Sequence, residues 1–269
     1  MCALIASVNG VVSDPAEAHI PVTDEGLLRG DGVFEVVRVY DGVPFALGPH
    51  LIRMEGSAAN LRLELPATDL LRDEALALLD ARGGTFDGCL RMLVTRGGRR
   101  LLLTEPLPKS SLAASITLGV VTYSPTRVLD GIKSLSYAGN MLAGRLAHER
   151  GFDEALLVTP HGRVLEAPTS SIFWVDATGA LCTPPLDEHI LASITRDRVL
   201  RVLDVDERPA TLDDVQNASE VFLASTTREV QAVSAIEGRQ LAAAPGEVTR
   251  EALQALRAHI QEELQAVRA

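Results

Sequence analysis

Residues 33–40 read Val-Phe-Glu-Val-Val-Arg-Val-Tyr, and Asp41-Gly42 follows at once. β-Branched and aromatic side chains are stiff in a helix and fit a pleated surface, so this run is a strand. Asp-Gly is turn chemistry and sends the chain into a second extended run over 43–47. Upstream, Ala3–Val12 alternates loosely and breaks at Asn9-Gly10, another hairpin signal. Beyond, Leu51, Met54, Ala58 and Leu61 recur at helical spacing within 50–63, and a second helix is expected over 69–82, closed by Gly83-Gly84. Strands are expected over 90–95 and 101–104, around Arg96-Gly97-Gly98-Arg99. This block reads as a small sheet with two helices.

Glu105–Ser111, with two prolines and two serines, is the natural linker. The expected division is therefore an α+β N-terminal domain over 1–106, a linker over 107–115 and a larger domain over 116–269. The second domain opens with a strand over 116–123 and a turn bearing Lys133. A helix runs from about 137 to 150, closed by Gly151. Strands follow over 154–159, 163–165, 171–175 and 181–183, then helices over 193–203 and 211–216 and a strand over 220–224. In the tail, Ala252, Leu253, Leu256, Ile260, Leu264 and Val267 share one face, the mark of an amphipathic helix packed on the body.

Formal net charge is −11, which argues against a nucleic-acid or anionic-membrane partner. Cys2, Cys89 and Cys182 are odd in number and far apart, so neither a disulfide framework nor a zinc site is indicated. The six histidines are scattered, and no metal site is expected. With no basic-then-apolar start and no apolar run near the ~20 residues that span a bilayer, the expected location is the cytoplasm.

Only Lys109 and Lys133 are lysines, against 23 arginines. Arginine replaces lysine wherever a surface charge suffices, but guanidinium stays protonated and cannot attack a carbonyl. Lys109 lies in the polar linker. Lys133 lies between an apolar strand-like run and an apolar helix-like run, where a retained amine suits Schiff-base chemistry. An arginine-biased composition leaving two lysines by chance explains the same count.

Two segments suit an anion. In Leu191-Ala-Ser-Ile-Thr-Arg-Asp197 small polar residues open a helix whose first amides lack internal partners. An ordinary N-cap explains the same pattern. Ala224-Ser-Thr-Thr-Arg-Glu229 places hydroxyls after a strand and beside an expected helix start, or is simply a polar turn. Glu166, between two apolar runs and before Pro-Thr-Ser-Ser, needs a cationic or N–H partner. A protonated pyridine nitrogen and a structural arginine both qualify. Arg53 is either a phosphate clamp or one more surface arginine. Gly30-Asp31-Gly32 precedes a strand and lacks dinucleotide-loop spacing.

The order of these signals along the chain resembles the class IV pyridoxal-phosphate aminotransferases. The likeness runs from Arg29-Gly-Asp-Gly-Val-Phe-Glu35 through Ile132-Lys-Ser-Leu-Ser-Tyr137, Gly151-Phe-Asp-Glu-Ala-Leu-Leu157, Leu165-Glu-Ala-Pro-Thr-Ser-Ser-Ile-Phe173 and Thr183-Pro-Pro-Leu186, to the Val233 region. It implies a two-domain fold of type IV, with a small N-terminal domain and a larger C-terminal domain built on a β-barrel-like core. The implied cofactor is pyridoxal 5'-phosphate (PLP), the partners an amino donor and a 2-oxo acid, and the assembly a homodimer. Lys133 matches the Schiff-base lysine and Glu166 the acid facing the pyridine nitrogen. Arg53, Ser193, Ile194, Thr195, Ser225 and Thr226 match the phosphate cup. Tyr137, Thr227, Phe34 and Val36 are expected at the substrate. Burial and the pyridinium should ease the loss of the Lys133 proton.

Within the family, the Phe34-Glu-Val-Val-Arg38 strand and the Ile132-Lys-Ser-Leu135 run look most like D-amino-acid aminotransferases. Those enzymes typically hold the substrate carboxylate with Arg-x-His in the loop after a Thr-Arg-Gly strand. Here Thr95-Arg-Gly-Gly-Arg-Arg-Leu101 has no histidine. Carboxylate recognition is therefore assigned to Arg29, Arg38, Arg91, Arg99 or Arg100, with Arg29 acting across a dimer interface. Loss of the usual anchor also extends the expected donors to primary (R)-amines. The alternatives are 4-amino-4-deoxychorismate lyase and then branched-chain L-amino-acid aminotransferase.

Overall fold

A computed structural model describes residues 4–83, 85–125 and 127–268. Cys2, the start of the Ala3–Val12 run, Gly84 of the helix-closing pair and the final Ala269 lie outside the described residues. The chain divides into two compact units. One comprises residues up to Leu107 together with Gly131–Tyr137, and the other comprises Pro108–Asp130 and Ala138–Val267. The short segment carrying Lys133 thus belongs with the first unit. The expected division places it in the 116–269 domain, whereas its hydrogen bonds, given below, run to the first unit.

The first unit contains β1 (Ala6–Val8), β2 (Val11–Ser13), α1 (Glu25–Arg29), β3 (Gly32–Tyr40), β4 (Val43–Pro44), α2 (Leu47–Asn60), α3 (Thr68–Arg82), β5 (Gly88–Thr95) and β6 (Arg100–Glu105). Its strands form one antiparallel sheet in the order β2-β1-β6-β5-β3-β4. Asn9 and Gly10 both take left-handed φ, +52° and +86°, as the two-residue β1–β2 turn requires. Period-two alternation sends Val33, Val37 and Val39 of β3 into one core with Leu90, Met92 and Val94 of β5. Leu51, Met54 and Ala58 of α2 and Leu71, Ala75 and Leu78 of α3 complete that core from the helix side. The extended run expected over 43–47 stops at Pro44, and Leu47 already begins α2.

The second unit contains β7 (Ser115–Thr122), α4 (Ala138–Glu149), β8 (Glu154–Val158), β9 (Arg163–Val164), β10 (Ser171–Val175), β11 (Leu181–Thr183), α5 (Ile194–Val202), β12 (Asp206–Glu207), β13 (Ala210–Thr211), α6 (Leu212–Gln216), β14 (Glu220–Ser225), β15 (Glu229–Ile236), β16 (Arg239–Gln240) and α7 (Glu247–Arg268). These strands make a sheet in the order β12-β11-β10-β14-β15-β7-β8-β9-β13, with β16 on β15. β7 and β8 run parallel, with α4 in the connection between them, as a parallel pair demands. Phe173 and Phe222 are fully buried and stack across β10 and β14 with centroids 4.9 Å apart. Ala252, Leu256, Ile260 and Leu264 form the buried stripe of α7. The start of α7 is held by Glu220, whose carboxylate accepts from the Val248 and Thr249 amides at 3.1 and 2.8 Å. No helix of the described residues is long and apolar enough to cross a membrane.

Replacing the stacked Phe222 by alanine is expected to lower stability by about 3–5 kcal/mol. Urea unfolding reads this directly, and a loss below about 1 kcal/mol would contradict the packing described.

Candidate active site

β5 covers one edge of β3 along its whole length, while β4 pairs only with Val39 and Tyr40 on the other edge. Residues 133–135 occupy that second edge at the start of β3. Phe34 N donates to the Lys133 carbonyl at 3.1 Å, Leu135 N donates to the Gly32 carbonyl at 2.9 Å, and Val33 bridges Ser134. From α2, the Ser57 hydroxyl accepts the Lys133 amide at 3.1 Å. The close approach depends on two glycines. A Cβ on Gly32 would lie 2.6 Å from Leu135 Cδ1 and 2.6 Å from the Val94 carbonyl oxygen. Gly30 takes φ +67° with Ser136 Cα 3.1 Å from where a Cβ would stand.

Lys133 Nζ lies 4.3 Å from the Phe34 ring centroid and 5.7 Å from that of Tyr137. Those rings meet edge to face at 5.3 Å. The amine is thus placed against two aromatic walls, which leave less room for water around it. Val36 follows Phe34 on the same face of β3 by strand alternation. Opposite Val36 in register is Arg91, whose guanidinium carbon lies 5.8 Å from the Phe34 centroid and whose Nε donates to Glu105 at 2.9 Å.

Among the nominated arginines, Arg91 alone is brought to the ring that carries Lys133. Arg38 lies further along β3, buried, bonded to the Val39 and Gly88 carbonyls and to Asp87, and stacked on Tyr40. Arg99 pairs with Asp24, the residue that caps α1. Arg100 is locked onto Glu74 of α3 at 2.7–2.9 Å. Arg29 is 72% exposed and pairs with Glu25 one turn earlier. Arg38, Arg99 and Arg100 each pair with a local carboxylate, as Arg91 does with Glu105 and Arg29 with Glu25, and what distinguishes Arg91 is its place beside the Phe34 ring.

Arg53 has a partner that sequence reading missed. Its Nε and Nη2 donate to the two oxygens of Glu35 at 2.7 and 2.6 Å, and His50 Nδ1 meets the same carboxylate at 2.7 Å. Burial by itself would push the Glu35 carboxyl up. The hydrogen bond and charge of Arg53, joined by those of His50, outweigh burial and hold the carboxyl at about 2. Burial drives His50 below its ordinary value against the pull of Glu35, and the charges of Arg53 and Lys133 act in the same direction as burial. One sequence signal existed: His50, Arg53 and Ser57 stand at i, i+3 and i+7 of α2, a single helix face.

In the second unit, Glu166 follows β9 and precedes a tight turn in which Ala167 and Ser170 bridge. Its backbone carbonyl accepts from Leu157 N at 2.9 Å and its side chain from Leu191 N at 3.3 Å. Arg163 pairs with Glu188, and Arg196 with Glu207. Burial and then the charge of Glu166 raise the phenol of Tyr123, another neighbour the sequence did not reveal.

Ser193 caps α5, its hydroxyl accepting from Arg196 N at 3.2 Å. Ile194 and Thr195, the first residues of that helix, have amides with no carbonyl one turn earlier inside it to receive them. The 224–229 segment is corrected. It is the turn of a β14–β15 hairpin, with Ser225 opposite Glu229, rather than a helix start. Its arginine, Arg228, is buried against Glu154 and Gln231. The Ser225 hydroxyl is buried without a hydrogen-bond partner among the described residues, as are those of Ser170 and Ser171. Ser171 pairs with Ala224, next to Ser225 in β14. Orphaned buried hydroxyls, and helix-start amides without a carbonyl inside their helix, are groups that a phosphate would satisfy, and the residues present fit a phosphorylated cofactor.

The Glu35 geometry carries a pH signature. Its carboxyl drops from 4.5 to about 2 on folding, so its stabilisation is complete above the higher value and is lost as pH falls through the lower. Wild type is expected to lose on the order of 3 kcal/mol more than Glu35→Gln over that window. Parallel acid-titration curves of the two proteins would refute the pairing.

The class IV aminotransferase family pattern matches residues 32–236. A putative branched-chain-amino-acid aminotransferase of Methanocaldococcus jannaschii is 36% identical, over 86% of this chain and 88% of that one. A D-alanine aminotransferase of Bacillus licheniformis is 32% identical, over 92% of this chain and 94% of that one. A fold IV transaminase structure from Curtobacterium pusillum superposes with a TM-score of 0.83 at 28% identity, covering 96% of this chain and 98% of that one. The α+β architecture described above is therefore that of fold type IV, and the chain belongs to the class IV aminotransferases, a family of PLP-dependent enzymes.

Proposed function

We propose that this aminotransferase moves the amino group of a D-amino acid to a 2-oxo acid, with Lys133 as the lysine that binds the cofactor's carbonyl carbon. Primary (R)-amines are proposed as further donors. The position of Arg91 carries the carboxylate part of the reading. It offers a guanidinium on the same ring that flanks the Lys133 amine, which suits a small 2-amino acid held by its carboxylate. Val36 in place of a smaller residue, and D-alanine aminotransferases among the relatives, favour the D-series. The M. jannaschii relative favours a second reading, a branched-chain L-amino-acid donor.

Bound PLP supplies an electron sink for the bond broken at the donor's α-carbon. Lys133 Nζ would take and return the proton at the donor's α-carbon. Glu166, steadied by the Leu191 amide, holds the proton on the pyridine nitrogen. Arg53, the Ile194 and Thr195 amides with the Ser193 cap, and the Ser225 and Thr226 hydroxyls would hold the cofactor's phosphate. Phe34, Val36 and Tyr137 line the donor's side-chain space, and Thr227 faces the substrate. A cytoplasmic homodimer is proposed as the working form. Arg29 stands beside Leu27 and Leu28, which are 57% and 58% exposed in the single chain. From there it is proposed to reach the partner's substrate.

Given D-alanine and 2-oxoglutarate, the enzyme is expected to form pyruvate, and L-alanine and L-leucine to give far less product. Turnover of L-leucine alone would establish the branched-chain reading, and release of 4-aminobenzoate from 4-amino-4-deoxychorismate would establish a lyase. Arg91→Gln should raise the donor KM about 10–100-fold, as loss of a charge-assisted pair predicts. An unchanged KM would remove Arg91 from the site and leave Arg29.

A further inference from the structure

Glu35 and His50 are left over once Arg53 and the other groups of the reaction have a role, and the three form one cluster. Its side chains are 1%, 1% and 12% exposed. Buried ion pairs give little net stability compared with apolar packing of the same volume, so energy alone is a weak reason for this one. Its geometry offers a better one. Glu35 takes the Nε and Nη2 edge of the guanidinium side-on, with one oxygen to each nitrogen. A planar guanidinium gripped along one edge cannot spin about its long axis, so the direction of its outer donors is set. A carboxylate oxygen can only accept, so the His50 ring carries a hydrogen on Nδ1 toward Glu35 Oε2, which stops the carboxylate from turning in its own right. The His50 backbone is tied into α2 through the Ala46 carbonyl at 3.1 Å.

We propose that Glu35, braced by His50, is a positioning residue that aims Arg53 at the phosphate ester of the cofactor. This rests on the assignment of PLP to the chain and of Arg53 to its phosphate. The same helix face seats the Lys133 backbone through Ser57. A merely structural role for Glu35 would therefore disturb the amine along with the guanidinium. A positioning role acts on the phosphate alone, and this difference is measurable.

The test titrates apoenzyme with PLP and, separately, with pyridoxal, which has the carbonyl but no phosphate, following the cofactor's visible absorbance. Glu35→Gln is expected to weaken PLP about tenfold and to leave pyridoxal within about twofold of wild type. In an Arg53→Gln background the Glu35→Gln change should have no further effect on PLP, since the group it aims is gone. His50→Ala should weaken PLP about threefold, and His50→Asn, which keeps an N–H near the place of Nδ1, should restore it. The His50 pair decides the matter if Glu35→Gln does not fold. The proposal is overturned by equal weakening of PLP and pyridoxal, by full additivity with Arg53→Gln, or by unchanged PLP affinity in folded Glu35→Gln and His50→Ala proteins. Wild-type apoenzyme that takes up neither compound overturns the cofactor assignment itself, and this proposal with it.

Discussion

The chain leaves the second unit at Gly131, lays residues 133–135 along the open edge of β3, and returns at Ala138. Two backbone hydrogen bonds and the Ser57 contact hold it there. Each is an ordinary bond worth about 1 kcal/mol net, but together they fix the backbone of a seven-residue segment, Gly131–Tyr137, whose flanking chain belongs to the other unit. An amine on four flexible carbons is useful only if its anchor does not move. Gly30 and Gly32 make the approach possible, because side chains at either position would collide with the incoming segment.

Charge is distributed by the same logic. Most of the 23 arginines act as struts. Arg100 ties β6 to α3, Arg99 fixes the cap of α1, Arg38 closes one end of β3, and Arg228 ties the β14–β15 turn to Glu154 at the start of β8. Guanidinium suits such work because it stays charged and grips carboxylates along an edge. The work left to lysine is what guanidinium cannot do. Lys109 lies in a short 3-10 turn and is exposed, whereas Lys133 is half-buried between aromatic rings.

Local features were legible in the sequence. The Asn9-Gly10 turn, the β3 strand and the helices around Met54 and Leu78 follow from side-chain chemistry within a few residues. Glu166 and Lys133 stood out because a charge in an apolar run needs a partner. The partners themselves were not legible. Glu35 reads as an ordinary charged break in a strand until α2 brings His50 and Arg53 to it from 15 and 18 residues away. The Ser57 contact with Lys133 spans 76 residues. Ser225-Thr226-Thr227 suggested a helix start because hydroxyls favour N-caps, yet the β-branched run after Glu229 pairs back on β14 and makes it a hairpin. Arg91, Arg99 and Arg100 looked equivalent by composition, and only strand register separates the first from the other two.

Reduction of the PLP-loaded enzyme with sodium borohydride, followed by peptide mass mapping, tests the central claim most directly. The account predicts a pyridoxyl group joined to Nζ of Lys133 and to no other residue. A label on Lys109, or a protein that carries none, would contradict it.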